Sequence, residues 1–185
     1  MRLCVGVGTI NEVVQPLEQI FVNHKNGTMK NWVKLLIALA VPQIAGLSGV
    51  LFTDTGESSW YQQIQKPSWN PPGYIFGPVW TTLYVLMGIA FYLVWKSNAP
   101  EKVKRPAMTL WVVQLVLNFL WTLIFFGAHQ LGWALVEIIV LWIAILLTIF
   151  AFARISKTAA WLMVPYIAWV SFASILTATI WHLNQ

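Results

Sequence analysis

Residues 60–80 read WYQQIQKPSWNPPGYIFGPVW, and this stretch lies between two long apolar segments of the chain. It contains three of the chain's 12 Trp and four of its 9 Pro. Proline fixes φ, lacks an N–H donor and disfavours helix at the residue before it. We therefore predict that residues 67–73 are neither helix nor sheet interior, and that the whole stretch is a rigid aromatic cap over a pocket between membrane helices. The alternative is an interfacial belt of Trp and Tyr at headgroup depth.

The composition is that of a polytopic membrane protein. Of the 185 residues, 58% are hydrophobic and 9% are charged, whereas a soluble domain carries roughly 25% charged residues. A segment of about 20 apolar residues crosses a hydrocarbon core as a helix, whereas a barrel needs alternating strands of about ten residues. We predict an all-α bundle of five transmembrane helices with a structured aromatic and proline-rich loop between helices 1 and 2. The spans are expected at 32–52, 75–95, 106–126, 133–153 and 159–183.

The second span is expected to begin near Gly77 and Pro78, because proline suits the first turn of a helix. Residues 96–105 are expected to form a basic loop before the third span.

Residues 1–28 differ from the rest of the chain, because they combine charged residues with short apolar runs and show no small-residue cleavage site of a signal peptide. We expect translation to start at Met29, and residues 1–28 to be a disordered extension or a misassigned start. A short amphipathic cytoplasmic segment is the alternative. The five-helix domain then spans residues 29–185.

The positive charges predict the orientation in the membrane. Ten of the 11 Lys and Arg residues precede or open the first span, or lie between the second and third spans or between the fourth and fifth. Lys66 is the exception, and it shares its side with Asp54 and Glu57. Because cytoplasmic loops are rich in Lys and Arg, we predict a cytoplasmic N-terminus and an external C-terminus in a bacterial cell membrane. The cap then faces outward.

The sequence lacks the residues that disulfides, metal sites and the common catalytic motifs require. Cys4 is the only cysteine, so neither an internal disulfide nor a cysteine-based metal site is expected. The three histidines are far apart, and no nucleophile–base pair, phosphate-binding loop or charged relay through the spans is evident. We therefore predict no metal and no cofactor, and neither hydrolytic nor phosphoryl-transfer chemistry. The net charge of +5 comes from short loops and does not indicate nucleic-acid binding.

Few polar side chains fall inside the predicted spans. Glu137 is the only carboxylate within one, about one turn into the fourth. An ionisable group in a membrane is functional by default, and a packed or protonated structural role is the alternative. Gln114 and Asn118 lie four residues apart and share a helix face with Trp121 and Phe125. Interhelical hydrogen bonding is the alternative role for the two amides.

The fifth span carries a face of aromatic and small residues at a spacing of three or four: Tyr166, Trp169, Ala173, Leu176 and Thr177. Three tryptophans from other spans can join this face: Trp80, Trp121 and Trp142. Aromatic rings stack on flat ligands, and apolar pockets with few polar groups are the usual ligand sites. The pattern therefore predicts a pocket for a large, flat, apolar ligand with polar edges.

Ordered motifs recur in three segments of residues 30–185. They read WY…KPSW…PP…FGPVW…LY over 60–84, Q…N…W…FFG over 114–127 and PY…W…FA…L…IW…N over 165–184. These motifs resemble the TspO/MBR family, the translocator proteins once called peripheral benzodiazepine receptors. The resemblance implies a five-helix bundle, commonly a homodimer, that binds porphyrins and other tetrapyrroles, and in some members sterols or benzodiazepine-type drugs.

The family's proposed sterol motif is incomplete in this chain. Leu176 is followed by Thr177 and Ala178, and Trp181 is followed by His182, so the Tyr and the Arg of that motif are absent. Sterol recognition through it is therefore in doubt.

From the residues and the resemblance together, we predict a tetrapyrrole-binding membrane protein that acts as a receptor or regulator, with its ligand between the helices under the cap. Its partners are a porphyrin or related tetrapyrrole, the lipid bilayer and a second copy of the chain. The predicted ligand-contacting residues are Tyr61, Trp69, Phe76, Trp80, Asn118, Trp121, Trp142, Trp169, Ala173 and Leu176.

Two alternative functions remain open at this point. One is a porphyrin transporter. The other is an enzyme that degrades porphyrin with light and oxygen, for which the resemblance assigns Trp80 and Trp169 as the catalytic residues.

Overall fold

In the computed structural model the described residues, 29–53 and 59–185, form helices joined by short connections. The helices are α1 (Asn31–Val50), α2 (Trp60–Gln63), α3 (Gly73–Trp95), α4 (Glu101–Thr122), α5 (Leu131–Ala153), α6 (Lys157–Leu162) and α7 (Val164–Leu183), and α4 continues into a π-helix, Leu123–Gly127. The predicted all-α, five-span fold is confirmed, because five helical segments are long and apolar enough to cross a membrane. The predictions for residues 1–28, and for Asp54 and Glu57, lie outside the described residues.

Helices α1 and α3 approach closely around a proline and a glycine. Pro42 lies inside α1 and has no N–H, so the Ala38 carbonyl one turn earlier loses its helical donor. That carbonyl faces Gly88 of α3, where an added Cβ atom would lie 2.6 Å from the Ala38 oxygen. Only a residue without a side chain lets two membrane helices meet at this distance.

The second and third spans begin earlier than predicted, by two and five residues, so the predictions for Pro78 and for residues 101–105 were wrong. Helix α3 begins at Gly73, so Pro78 lies in its second turn rather than its first. Pro78 has no N–H to bond to the carbonyl of Tyr74 four residues earlier. Tyr74 lies at the exposed start of the helix. Helix α4 begins at Glu101, so residues 101–105 of the predicted loop are helical.

Local ion pairs account for the early start of α4. The Glu101 carboxylate lies 2.8 Å from Nζ of Lys104 and 3.5 Å from Nε of Arg105. Charge pairs spaced three and four residues apart stabilise a helix.

The last span is two helices rather than one. Helix α6 begins after Ser156, whose Oγ accepts a hydrogen bond from the Ala159 backbone N–H at 3.3 Å. Pro165 lacks the N–H that would bond to the Trp161 carbonyl. The helix is therefore interrupted at Met163, and α7 begins at the next residue. The fourth span, α5, ends at Ala153 as predicted and begins two residues earlier than expected.

The core runs between α3, α4, α5 and the last two helices, where Met87, Ile145 and Phe152 are fully buried. The outward faces of α1, α4 and α5 expose large apolar side chains such as Leu47, Val116 and Phe150. With water excluded from a bilayer interior, helices that satisfy their own backbone hydrogen bonds and expose apolar side chains are suited to lipid. The chain is therefore an integral, multi-pass membrane protein.

Candidate functional site

Of the cap predicted over residues 60–80, residues 73–80 belong to helix α3, and the remaining residues 60–72 are held together by their own side chains. After the single helical turn of α2, Lys66 folds back and its Nζ donates hydrogen bonds to the carbonyls of Tyr61 at 2.5 Å and Ile64 at 3.3 Å. The same ammonium lies 4.7 Å from the centroid of the Tyr61 ring. The Tyr61 hydroxyl donates a hydrogen bond of 3.1 Å to Oδ1 of Asn70. Burial raises the pKa of the Tyr61 hydroxyl above its ordinary value, so the group keeps the proton that it donates.

Two contacts fasten the cap to the helices. Asn184, after α7, accepts a hydrogen bond from the Gln65 backbone N–H and donates one to the Gln65 carbonyl, both at 2.9 Å. The Trp60 ring stacks on His129 with centroids 4.2 Å apart. His129 lies in the connection before α5 with a φ of 55°, an uncommon backbone conformation outside glycine. The cap is thus attached both to the end of α7 and to the connection between α4 and α5.

One row of aromatic rings connects the cap to α7. The Trp69 ring lies 5.9 Å from the Phe172 ring, and Phe172 lies 5.5 Å from Trp169. Phe76, in the first turn of α3, meets Trp169 edge to face at 5.9 Å. Trp69, Phe76 and Trp169, all predicted from sequence, are therefore brought together, and Phe172 joins them.

A second row connects the cap to α4. Trp121 stacks on Phe125 at 4.9 Å, and the Tyr61 ring lies 6.2 Å from Phe125 and 5.5 Å from Phe126. Both phenylalanines lie in the π-helix, which is wider than an α-helix and often marks a functional site. Leu176 of α7 is buried in the same cluster.

Beneath these rows lie four polar side chains, Tyr84, Asn118, Glu137 and Tyr166, which we call the polar floor. They come from α3, α4, α5 and α7, respectively. The Tyr84 hydroxyl donates a hydrogen bond of 2.8 Å to Oδ1 of Asn118. The Tyr166 side chain is fully buried, and its hydroxyl has no hydrogen-bond partner among the described residues.

Trp80 covers the polar floor on the α3 side. Its ring stacks on Tyr84 at 5.4 Å and meets Tyr166 edge to face at 6.2 Å. The predicted residues Trp80 and Asn118 thus belong to one contact network, whereas the floor itself was not predicted as a unit. In the sequence Tyr84 was noted only as part of a motif. The sequence of an apolar span does not show which residue of another helix will accept a hydrogen bond from its tyrosine, here Asn118.

Several buried polar groups have no hydrogen-bond partner among the described residues, and they include the indole N–H groups of Trp121 and Trp169, the Glu137 carboxyl oxygens, the Tyr166 hydroxyl and the Gln114 amide. A buried polar group without a partner costs roughly 1–3 kcal/mol. Such groups are therefore candidates for contact with a ligand.

Trp142 differs from the other predicted tryptophans. Its indole N–H donates a hydrogen bond of 2.8 Å to Oγ of Ser171, which in turn donates to the Ile167 carbonyl. The Trp142 donor is therefore used within the bundle, although its ligand contact stays a prediction. Ala173, like Trp142, packs against the hydrophobic core of the bundle.

Within residues 29–53 and 59–185, no three His, Cys, Asp or Glu side chains gather in a way that could hold a metal ion.

Comparison with known proteins identifies similar chains. The TspO/MBR family model matches residues 38–182. The chain is 42% identical over 155 residues to the tryptophan-rich protein TspO of Chlorobaculum tepidum, an alignment that covers 84% of this chain and 98% of the relative. It is 41% identical over 156 residues to the translocator protein of Homo sapiens, with 83% and 92% covered. It is 33% identical over 154 residues to the tryptophan-rich sensory protein of Cereibacter sphaeroides, with 83% and 93% covered.

Proposed function

Because the chain belongs to the TspO/MBR family, we propose that it is a membrane receptor or regulator that binds a tetrapyrrole, such as a porphyrin or a haem-pathway intermediate. The ligand lies between the helices, under the cap and above the polar floor. The cap residues Tyr61 and Trp69 cover it, Phe76 and Trp80 border it from α3, and Ala173 and Leu176 border it from α7.

The observation that carries this proposal is the pair of buried indole N–H groups of Trp121 and Trp169 that lack partners among the described residues. Each belongs to one of the two aromatic rows. A tetrapyrrole combines a flat π surface, which stacks on aromatic rings, with carboxylates at its edge, which accept hydrogen bonds from such donors. A purely apolar ligand would leave both donors unpaired.

We further propose that the protein resides in a bacterial cell membrane as a homodimer, with its N-terminus in the cytoplasm. All described Lys and Arg residues other than Lys66 lie on one side of a bundle whose helices alternate in direction. They are found at the start of α1, the end of α3, the start of α4, the end of α5 and the start of α6. Positive charge of this kind favours the cytoplasmic side.

The proposal is tested by titrating purified protein in detergent with protoporphyrin in the dark, followed by the visible absorption of the porphyrin. Trp169→Phe keeps an aromatic ring and removes one N–H, so affinity should fall about fivefold, the equivalent of one hydrogen bond. Trp142→Phe is the matched control, because the Trp142 N–H is bound to Ser171, and its affinity should stay within about twofold of the wild type. Titration that never saturates means that porphyrin only dissolves in the micelles, and this result would overturn the proposal.

The stacking of Trp80 on Tyr84 favours a second candidate function, the light- and oxygen-dependent degradation of porphyrin. Excited porphyrin takes an electron from the indole and passes it to molecular oxygen, which becomes superoxide, while the neighbouring phenol re-reduces the indole. The phenoxyl radical then recovers an electron from the porphyrin, and superoxide adds to the resulting porphyrin radical, so the net reaction is the addition of oxygen to the porphyrin. Illumination of the saturated complex should then release a new pigment. The same rate of product formation in Trp80→Phe and Trp169→Phe would rule out these residues as catalytic.

A further inference from the structure

Positive charge gathers at the end of the bundle that lies opposite the cap. Apart from Lys66, the described lysines and arginines lie at this end. Glu101 is the one described acidic residue there, and its carboxylate pairs with Lys104 and Arg105. Among the described residues the other cations of this end have no ion-pair partner, so the surface keeps a net positive charge.

Two of these cations lie on aromatic rings at the end of α3. Nζ of Lys34, in the first turn of α1, lies 5.8 Å from the centroid of the Trp95 ring. Nζ of Lys96 lies 4.7 Å from the centroid of the Tyr92 ring. Because Tyr92 and Trp95 are three residues apart on α3, their rings share one face of the helix. We call these four residues the lysine clamp.

The rings of the lysine clamp position the two ammonium groups without neutralising them. The face of an aromatic ring attracts a cation but carries no net charge, and each ammonium group has three N–H donors. Trp and Tyr side chains favour the headgroup depth of a membrane, so the rings hold the two charges at the level of the lipid phosphates. The clamp therefore fits an anionic group at the membrane surface.

The face of α1 that carries Lys34 continues into the membrane as an apolar stripe. The stripe consists of Ile37, Val41 and Ile44, which follow Lys34 at helical spacings and so share its side of the helix. Their side chains are 39%, 41% and 63% exposed, respectively. A small free anion would make no contact with this stripe, whereas the acyl chain of a phospholipid packs along it.

We propose that the lysine clamp and the apolar stripe bind one anionic phospholipid, in the leaflet at this end of the bundle. The lipid phosphate accepts hydrogen bonds from Lys34 and Lys96, and one acyl chain lies along the apolar stripe. This site is separate from the proposed tetrapyrrole site. The 23 residues of α3 place the clamp about 30 Å from the cap, at a rise of about 1.5 Å per residue.

Native mass spectrometry of the full chain in a neutral detergent tests the lipid site. Dioleoyl phosphatidylglycerol is anionic, and dioleoyl phosphatidylcholine has the same acyl chains with no net charge. The measured quantity is the ratio of their affinities for the first bound lipid. In the wild type we expect the anionic lipid to bind about tenfold more tightly, because each lysine near the lipid phosphate adds a severalfold preference.

Lys34→Gln and Lys96→Gln should each lower this ratio severalfold, and the double variant should lower it to about twofold or less. Arg154→Gln is the matched control. It removes one positive charge at the same end of the bundle, but from α5, which packs mainly against α4, α6 and α7. Its ratio should stay within about twofold of the wild type.

A wild-type ratio near one, or single lysine variants that match Arg154→Gln, would overturn the lipid site. A soluble competitor separates a lipid from a free anion. Glycerol 3-phosphate supplies the headgroup phosphate without acyl chains, and at the same concentration as the lipid it should not displace phosphatidylglycerol. Displacement at that concentration would identify a site for free anions and would refute the assignment to a phospholipid.

Discussion

The Tyr84 hydroxyl donates a hydrogen bond of 2.8 Å to the Asn118 side chain, and this bond links α3 to α4 at the base of the candidate site. The Tyr84 ring also packs against Gly46 of α1 and stacks on Trp80. One buried tyrosine therefore fixes the relative position of three helices and supports the aromatic ring above it.

Removing the Tyr84 hydroxyl should destabilise the bundle. Tyr84→Phe leaves Asn118 with an acceptor that has lost this donor, which we expect to cost about 0.5–2 kcal/mol and to lower the thermal midpoint in detergent. Tyr74→Phe is the control, because Tyr74 is 79% exposed and should unfold like the wild type. Equal midpoints for the two variants would show that the hydrogen bond contributes nothing to stability.

Alanine at Gly46 should be much more damaging than alanine at Gly49, one turn later on the same helix. A Cβ atom at Gly46 would overlap the Tyr84 ring, whereas at Gly49 it would meet Thr122 at an ordinary 3.5 Å. Because the Tyr84 ring also stacks on Trp80 and its hydroxyl is bonded to Asn118, the ring has little room to move. We therefore expect Gly46→Ala to cost about 1–3 kcal/mol.

Gly49→Ala should be neutral or slightly stabilising, because alanine favours helix over glycine. Thermal unfolding of the two variants side by side measures the difference. Similar stability in both would mean that α1 can shift away from Tyr84 at little cost.

Asn184→Ala should loosen the cap without unfolding the bundle. The Gln65 backbone N–H donates to the Asn184 side chain, so its hydrogen exchange should accelerate once that acceptor is removed. Gln185→Ala, a change at the neighbouring position, serves as the control and should leave the exchange rate of Gln65 unchanged. Unaltered exchange in Asn184→Ala would indicate that other contacts hold the cap in place.

Tyr61 should keep its proton to a higher pH than an exposed tyrosine. Burial raises its pKa, whereas an exposed tyrosine has a pKa of about 10. Since the folded pKa lies above the unfolded one, the stability that this group contributes is fully present below the unfolded pKa and is lost as the pH rises through the folded pKa.

The difference in phenolate absorption between wild type and Tyr61→Phe isolates the titration of Tyr61 from that of the other tyrosines. A titration at the ordinary pKa of tyrosine would mean that the cap does not shield this side chain in solution.

The five spans could be predicted because bilayer thickness sets the length of an apolar helix. Their ends were less predictable, because a proline removes only one local hydrogen bond. Pro78 is accommodated in the second turn of α3, whereas Pro165 coincides with a break in the last span. The helical start of α4 depends on the pairing of Glu101 with Lys104 and Arg105, although these residues suggested only a basic loop.

The candidate site could likewise be predicted only in part. Spacing along a helix correctly placed Trp169 and Leu176 on the inner side of α7. It could not show that Trp142 donates to Ser171, because that contact depends on the register between α5 and α7. It also gave no sign that Tyr84 and Asn118, which are far apart in sequence, are joined by a hydrogen bond.

The folding-back of Lys66 bears on how a ligand reaches the site. Lys66 is the only charged residue in 59–72, and its ammonium is directed at the backbone carbonyls of the cap. An anionic molecule arriving from water therefore meets little positive field on this part of the surface. Capture should then proceed by lateral diffusion within the lipid, at a rate that depends only weakly on ionic strength.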